Sequence, residues 1–288
     1  MVQIVLSGLA IGSIYALIAQ GFYITWITTK KFNFGQGDFM MAGAVVGLYA
    51  SDSLHLPYYL SMIVVLASGI VLGLILERFT IRPLNKFPNS SSWVVSTLAM
   101  GMVLQNLAML WVGRDQRPFP SPFGQEPVRI FSAGIMPHEI FTIIVSIGLM
   151  ILLLVFLKKS VLGKALSAVA FNSDVSGLAG INVKRMVILT FCLSSALAGL
   201  AGILVGPIIF VNPYMGGIPG IKAFAVAIVG GLENPVGILI AGLGLGVLES
   251  TINFYSSQFT EVLVFLIIIL VLTFRPAGLF VKVVGEKL

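Results

Sequence analysis

Four stretches of this chain, residues 2–29, 92–113, 140–157 and 186–221, contain no charged side chain at all. An α-helix needs ~20 predominantly apolar residues to cross a bilayer's hydrocarbon core. In that medium only helices and closed barrels satisfy their backbone polar groups. The remainder of the chain agrees. Of its 288 residues 58% are hydrophobic and 10% charged, where a soluble domain carries about a quarter charged residues. The expected fold class is an all-α polytopic membrane protein, with residues 1–288 as a single transmembrane domain. Segment 2–29 reads as a retained first helix and not a secretory signal. No Lys or Arg precedes Lys30, and Trp26-Ile27-Thr28-Thr29 is a poor cleavage site. The net charge of +6 matches the basic loops that membrane insertion selects. No basic cluster interleaved with exposed aromatics points to nucleic acid.

Apolar blocks and breakers divide the chain into about eight crossings. Helices are expected at 2–28, 34–51, 57–77, 93–113 and 140–157, then over 186–210, 237–253 and 258–274. The stretch 114–138 holds Pro118, Pro120, Pro122, Pro127 and Pro137, and is expected as an extended loop. Residues 158–185 form a long polar segment. The region 212–236 is broken by Pro213, Gly216, Gly217, Pro219, Gly220, Gly230, Gly231 and Pro235.

Lys and Arg accumulate on the cytoplasmic side of membrane proteins. Assigning 30–31, 78–90, 158–185 and the tail 275–288 to one side collects all but four of the 17 basic residues, Lys282 and Lys287 included. Arg114, Arg117 and Arg129 fall on the other side, and Lys222 stays unassigned. The N-terminus is then outside and the C-terminus inside, so 114–138 is a periplasmic loop and 158–185 a cytoplasmic one. A faint internal echo links 37–83 with 230–276. Each runs Gly-rich helix, polar break and apolar helix, ending in Arg82-Pro83 and Arg275-Pro276. Such repeats build many transporters, and Gly/Pro-interrupted segments in them mark the solute path.

Catalytic patterns are scarce. His55 and His138 lie far apart in expected outside loops, and neither HExxH nor GxSxG occurs. The acids in or beside apolar segments are Asp38, Glu77, Glu249 and Glu261, none paired at helical spacing. The nearest approach to a phosphate loop, Gly216 to Lys222, lacks the Gly before the Lys and the Ser or Thr after it. The lone Cys192 excludes a disulfide framework and a CxxC metal site. Small-xxx-small pairs, Gly8/Gly12, Gly69/Gly73 and Gly202/Gly206, are expected to let helices pack closely.

Two segments stand out. Phe32-Asn33-Phe34-Gly35-Gln36-Gly37-Asp38 places two amides and a carboxylate at the head of an apolar helix. Asp38 is read either as an N-terminal helix acid at the cytoplasmic edge or as part of a gate, because an ionised group inside the bilayer is costly. In the loop, Leu162, Ala165, Leu166, Val169 and Ala170 recur at helical spacing. They make a short amphipathic helix on the basic side, suited either to docking or to skimming the membrane. Lys222 has two readings as well, a snorkelling surface residue or a group facing the path, there attracting a solute carboxylate or pairing with Asp38 or Glu249.

These residues resemble, over almost the whole chain, the branched-chain amino acid ABC permeases, specifically the first of their two paralogous membrane subunits. Gly12 to Ala19 looks like that family's first helix. The family's Asn-Phe-Ala-His-Gly-Glu segment appears as Asn33-Phe34-Gly35-Gln36-Gly37-Asp38, its Ala-His replaced by Gly35-Gln36. Leu162-Gly163-Lys164-Ala165, continuing to Gly180, is similar to its coupling loop, with Ala168 and Asn172 where further charges are common. Asn212-Pro213-Tyr214, Gly220 to Phe224 and Gly230-Gly231 match its late broken region.

The resemblance implies a permease subunit of an ATP-driven importer for branched-chain or other amino acids in a bacterial inner membrane. Relatives for urea, amides or aromatic acids are the alternative. It implies a paralogous permease partner, two cytoplasmic ATP-binding subunits and a periplasmic solute-binding protein. No catalysis and no cofactor are expected in this chain, with ATP and Mg held by the ATPase subunits. Leu162, Gly163, Lys164, Ala165, Ala168, Asn172 and Gly180 are the expected coupling residues. Asn33, Gln36, Asp38, Asn212, Lys222 and Glu249 are the candidate solute path or gate. A proton-coupled carrier titrating Asp38 or Glu249 is the rival reading.

Overall fold

A computed structural model describes residues 1–86, 91–124, 126–130, 133–276 and 278–280. The basic tail with Lys282 and Lys287 lies outside the described residues. Among the described residues, seven helices are long and apolar enough to cross a membrane. In chain order, α1 is Val2–Thr29, α2 Gln36–Asp52, α3 Tyr58–Ile75 and α4 Ser92–Val112. Next come α5 Pro137–Lys159, α6 Val161–Phe171 and α7 Ser173–Leu178. The chain finishes with α8 Val183–Ile209, α9 Gly217–Gly230, α10 Pro235–Tyr255 and α11 Thr260–Phe274. Helix α3 runs on through a π-helical turn, Leu76–Ile81, so the third crossing is longer than the sequence suggests. Of the eight expected crossings, the second is not among the seven, whereas the last reaches crossing length by joining the 3-10 turn Ser257–Phe259 to α11. At 1.5 Å per residue the 17 residues of α2 reach ~25 Å, less than the ~30 Å core.

Helices α1 and α8 form the axis of the bundle, buried along most of their length. Their small residues allow this, because in lipid close backbone approach is the main source of attraction between helices. Gly8 and Gly12 lie against the backbone of Gly246 and Gly242 on α10. Gly69 and Gly73 of α3 lie against Ala196 and Cys192 of α8, and Gly202 of α8 meets the Met40 carbonyl of α2. Proline inside α8 leaves one backbone acceptor free. Pro207 has no N–H for the Ile203 carbonyl, and the Tyr58 hydroxyl donates to it instead at 2.8 Å. At the next residue, His138 Nε2 and the Thr142 hydroxyl reach the Leu204 carbonyl at 2.8 and 3.3 Å. His138 is therefore not a loop residue. It sits buried in the first turn of α5.

The ends of the bundle differ in charge. Lys158 and Lys164 line a crevice with Tyr23 and Pro235. Arg78, Arg82 and Lys184 line another with Glu77 and Val183, and Lys30 pairs with Glu233 at 2.9 Å. We call this the basic end. At the opposite end, 114–136 is less irregular than its prolines suggest. It contains a two-stranded hairpin, β1 Val128–Ile130 with β2 Ala133–Ile135. Main-chain bonds between Arg117 and Val211, at 2.8 and 2.9 Å, fasten the loop to the α8–α9 connection. The echo between 37–83 and 230–276 corresponds to the pairs α2–α3 and α10–α11. Their packing is unequal, since α2 is buried along most of its length and α10 at few positions.

Candidate functional site

The region 212–236 is less broken than its prolines and glycines suggest. It contains α9, which starts inside the bundle. Gly216 and Gly220 lie against Gly37, and a Cβ on either Gly37 or Gly216 would collide with the other's backbone carbonyl. Thus α2 and α9, both too short to span, meet N-terminus to N-terminus. The contact depth follows from α2's neighbours. Gln36 Nε2 donates to the Ser194 carbonyl at 3.0 Å, well inside α8. Asp38 lies against Gly101 and accepts from Gln105 Nε2 at 2.7 Å, near the midpoint of α4. Asp38 is an N-terminal helix acid, as one sequence reading has it, but at mid-bundle and not at the edge.

The chain reaches that depth through residues 30–35, whose backbone groups find local partners. Lys30 closes α1 in a left-handed conformation, and its N–H donates to the Trp26 carbonyl. Gly35 N–H donates to Asn33 Oδ1 at 3.1 Å, and Phe34 N–H donates to Thr97 Oγ1 at 3.3 Å. Asn33 Nδ2 donates to Gln36 Oε1 at 3.2 Å. The Ser194 hydroxyl sits 3.0 Å from the Gly21 carbonyl and 3.2 Å from Gln36 Oε1. Irregular backbone inside a membrane bundle needs such partners. Asn33 and Gln36 therefore brace the re-entrant segment across α1 and α8, and their side chains are spent in that network.

A cavity of about 400 Å³ opens where the half-helices meet. Asp38 and Gln105 supply its polar wall, Gly37, Gly216, Gly217 and Gly220 its backbone wall. Phe22, Phe34, Leu98, Met102, Ile221 and Phe224 supply the apolar remainder. Toward the basic end an aromatic layer lies under it. Trp26 stacks on Phe32 at 4.6 Å, and Phe224 packs against Phe22, Phe32 and Phe34 at 5.2–5.4 Å. Phe34 stacks on Trp93 at 5.9 Å. No sequence period links these rings, which come from α1, the 30–35 segment, α4 and α9.

The remaining candidates lie elsewhere. Asn212 sits in the α8–α9 connection, where its Oδ1 accepts from Tyr214 N–H at 2.9 Å. Lys222 is on α9 but does not line the cavity. It is 1% exposed, its Nζ 2.7 Å from Glu249 Oε1 and 2.9 Å from Glu261 Oε1, and 5.8 Å from the Tyr15 ring centre. A snorkelling surface position does not fit this burial. Glu249 is a partner as one reading expected and Asp38 is not; Glu261, from another helix, was not foreseen. Tertiary packing thus brings to one ammonium two carboxylates that have no common helical spacing.

The 158–185 loop is built by three caps. Ser160 Oγ accepts from Gly163 N–H at 2.8 Å and starts α6. Asn172 Oδ1 accepts from Asp174 and Val175 N–H at 3.1 and 3.0 Å and starts α7. Asn182 Oδ1 accepts from Arg185 N–H at 3.1 Å and starts α8. Gly180 takes φ +86°, a turn that suits glycine. The buried stripe of α6 is Gly163, Leu166 and Val169, with Ala165 and Ala168 partly covered. Leu162, expected on that stripe, is half-exposed, because Gly163 takes the contact by lying on the backbone of Phe156 and Leu157. Lys164 points outward. Phe171 and Leu178, 95% and 90% exposed, form an apolar outer face that the periodicity of α6 did not reveal.

The chain is similar to known proteins along nearly its whole length. A family model described as "Branched-chain amino acid transport system / permease component" matches residues 4–272. The chain is 32% identical over 301 residues to the high-affinity branched-chain amino acid transport system permease protein LivH of Escherichia coli K12. The alignment covers 99% of this chain and 97% of that protein. It is equally similar to the corresponding permease protein BraD of Pseudomonas aeruginosa, 32% over the same coverage. Among solved structures, PsaBC from Streptococcus pneumoniae in complex with Fab shares the fold. The TM-score is 0.55 at 12% identity, covering 93% of this chain and 89% of that one.

Proposed function

Because this chain belongs to the branched-chain amino acid transport permease family, and is a multi-pass permease component of an ABC transporter, we propose that it forms one half of an importer for aliphatic amino acids. The observation that carries the reading is the head-to-head pair α2 and α9 around a mid-bundle cavity with a polar and an apolar wall. Interrupted helices meeting inside a bundle are the usual setting of a solute site in transporters. The open flank of this cavity carries exposed Leu98, Met102 and Ile221. That flank suits the paralogous permease subunit, which would complete the path.

The basic end is proposed as cytoplasmic, in an inner membrane, with Arg117 and the hairpin loop on the periplasmic side. Two ATP-binding subunits work beneath the permease pair, one of them docking on α6 and α7 of this chain. Supporting this are the three-cap construction and the apolar outer face of Phe171 and Leu178, which is larger than a solvated connector needs. A periplasmic binding protein delivers solute to the opposite end. This chain performs no covalent chemistry in the proposal. Nucleotide turnover on the partners biases two conformations, and the solute follows their differential contacts.

The test is uptake of labelled L-leucine into proteoliposomes holding this chain with its partner permease, ATPase subunits and binding protein. Uptake should require ATP and survive dissipation of a proton gradient. Uptake that follows an imposed proton gradient without nucleotide would establish the proton-coupled rival instead.

A further inference from the structure

Asp38 is a carboxylate without a cation. Among the described residues the salt bridges are Lys30–Glu233, Lys222–Glu249 and Lys222–Glu261, and none involves it. One oxygen accepts from Gln105, and the other faces Gly101, where a Cβ would collide with it. The carboxylate is half-buried, at mid-bundle, on the wall of the 400 Å³ cavity. An isolated carboxylate at such depth is costly, and position in the first turn of α2 offsets only part of that cost through the helix dipole. Elsewhere in this bundle the same expense is met by a partner: Glu249 has Lys222. Asp38 has no such partner among the described residues, and it lines the cavity.

We propose that Asp38 is the acceptor for the ammonium group of the transported solute, with Gln105 holding its carboxylate in position. The inference deepens the importer reading and rests on it. A cation that enters with the solute supplies the missing partner. The same cavity presents Phe22, Phe34, Leu98, Met102, Ile221 and Phe224 within reach of a side chain attached to that ammonium. One charged corner and a wall that is apolar over six side chains select a small aliphatic amino acid over urea, which lacks both a charge and an apolar part. They also select it over an aliphatic or aromatic acid, whose only charge has the sign of Asp38. Gly101 is then a specificity element, because any side chain there occupies the space of the carboxylate.

Asp38→Asn preserves shape and removes charge; Asp38→Glu preserves charge. Both are assembled with the partner subunits in proteoliposomes, and co-purification of the partners is the control for folding. Uptake is measured over a full concentration range for L-leucine, urea and 4-methylpentanoate, the last being leucine's carbon skeleton without the ammonium group. The expected result is a KM for L-leucine raised about ten- to hundredfold by Asp38→Asn, with Vmax changed far less and Asp38→Glu much closer to wild type. A purely structural helix acid would instead lower assembly or Vmax for any solute. Unchanged leucine KM in Asp38→Asn overturns the assignment and leaves the importer reading standing. A wild-type complex that moves urea or 4-methylpentanoate and not L-leucine overturns both the assignment and the amino-acid reading. ATP-independent uptake of leucine with a raised KM in Asp38→Asn sinks the importer reading alone.

Discussion

Replacing Lys222 with Met tests how the ion cluster is held together. The change removes the single ammonium between Glu249 and Glu261 and leaves both carboxylates without a cation. Glu261 is 49% exposed, so its pair counts as a surface bridge of ~0–1 kcal/mol. Glu249 is 18% exposed, and stranding a mostly buried charge costs ~3–5 kcal/mol. The Glu249 contribution therefore dominates, and Lys222→Met should lower the thermal midpoint of the purified protein by on the order of 10 °C. Glu261→Gln should barely move it. The informative variant is the double, Lys222→Met with Glu249→Gln, which has no stranded charge and should regain most of the loss. The assay is a double-mutant cycle on thermal unfolding in detergent, with recovery of monodisperse protein as a second readout. Additive losses in the double variant would refute the pairing energetics. A Lys222→Met protein as stable as wild type would refute the buried pair itself.

Three further outcomes are expected. Gly37→Ala or Gly216→Ala should overpack the joint between the half-helices by ~1–3 kcal/mol and reduce uptake, read by transport at matched membrane abundance; Gly148→Ala, where a Cβ meets open space away from the cavity, should not. Phe171→Glu or Leu178→Glu should weaken ATPase co-purification while thermal stability of the isolated chain stays within about 0.5 kcal/mol; full ATPase recovery would remove α6 and α7 from the docking surface. On a Cys192→Ser background, a cysteine at Ser121 should react with an impermeant thiol reagent in intact spheroplasts and one at Ser173 only after permeabilisation, and equal labelling would overturn the orientation.

The spanning helices were legible because a charge-free run of helix length has few other folds available to it, and the structure extends most of them by only a few residues. The 158–185 loop was legible in outline, since Ser160, Asn172 and Asn182 are residues whose side chains compete for N-terminal amides. Their caps divide it into α6, α7 and the start of α8. Depth was not legible. Asp38 follows Lys30 and Lys31 closely, so the sequence reads as an interfacial acid. Only the climb of residues 30–35, braced by Asn33, Gln36, Ser194 and Thr97, carries it to the middle of α4. The same is true of Lys222, whose two carboxylates come from separate helices. Prolines misled in one direction, as breakers where helices start. Pro137 belongs to the first turn of α5, where its missing N–H costs nothing, and Pro219 lies within the first turn of α9.

The ring layer formed by Trp26, Phe32, Phe34, Trp93 and Phe224 has an electrical consequence. A membrane that stores energy as an ion gradient is discharged by any continuous file of water through a carrier. Such a file persists only where hydrogen-bonding groups steady each molecule, and hydrophobic constrictions drain spontaneously. Stacked phenyl and indole faces offer a file of water no purchase, so the layer would act as an insulator in series with the cavity. Opening it is then a matter of sliding rings past one another. The conductance of a resting complex to protons and small ions should therefore be negligible even while its cavity is filled.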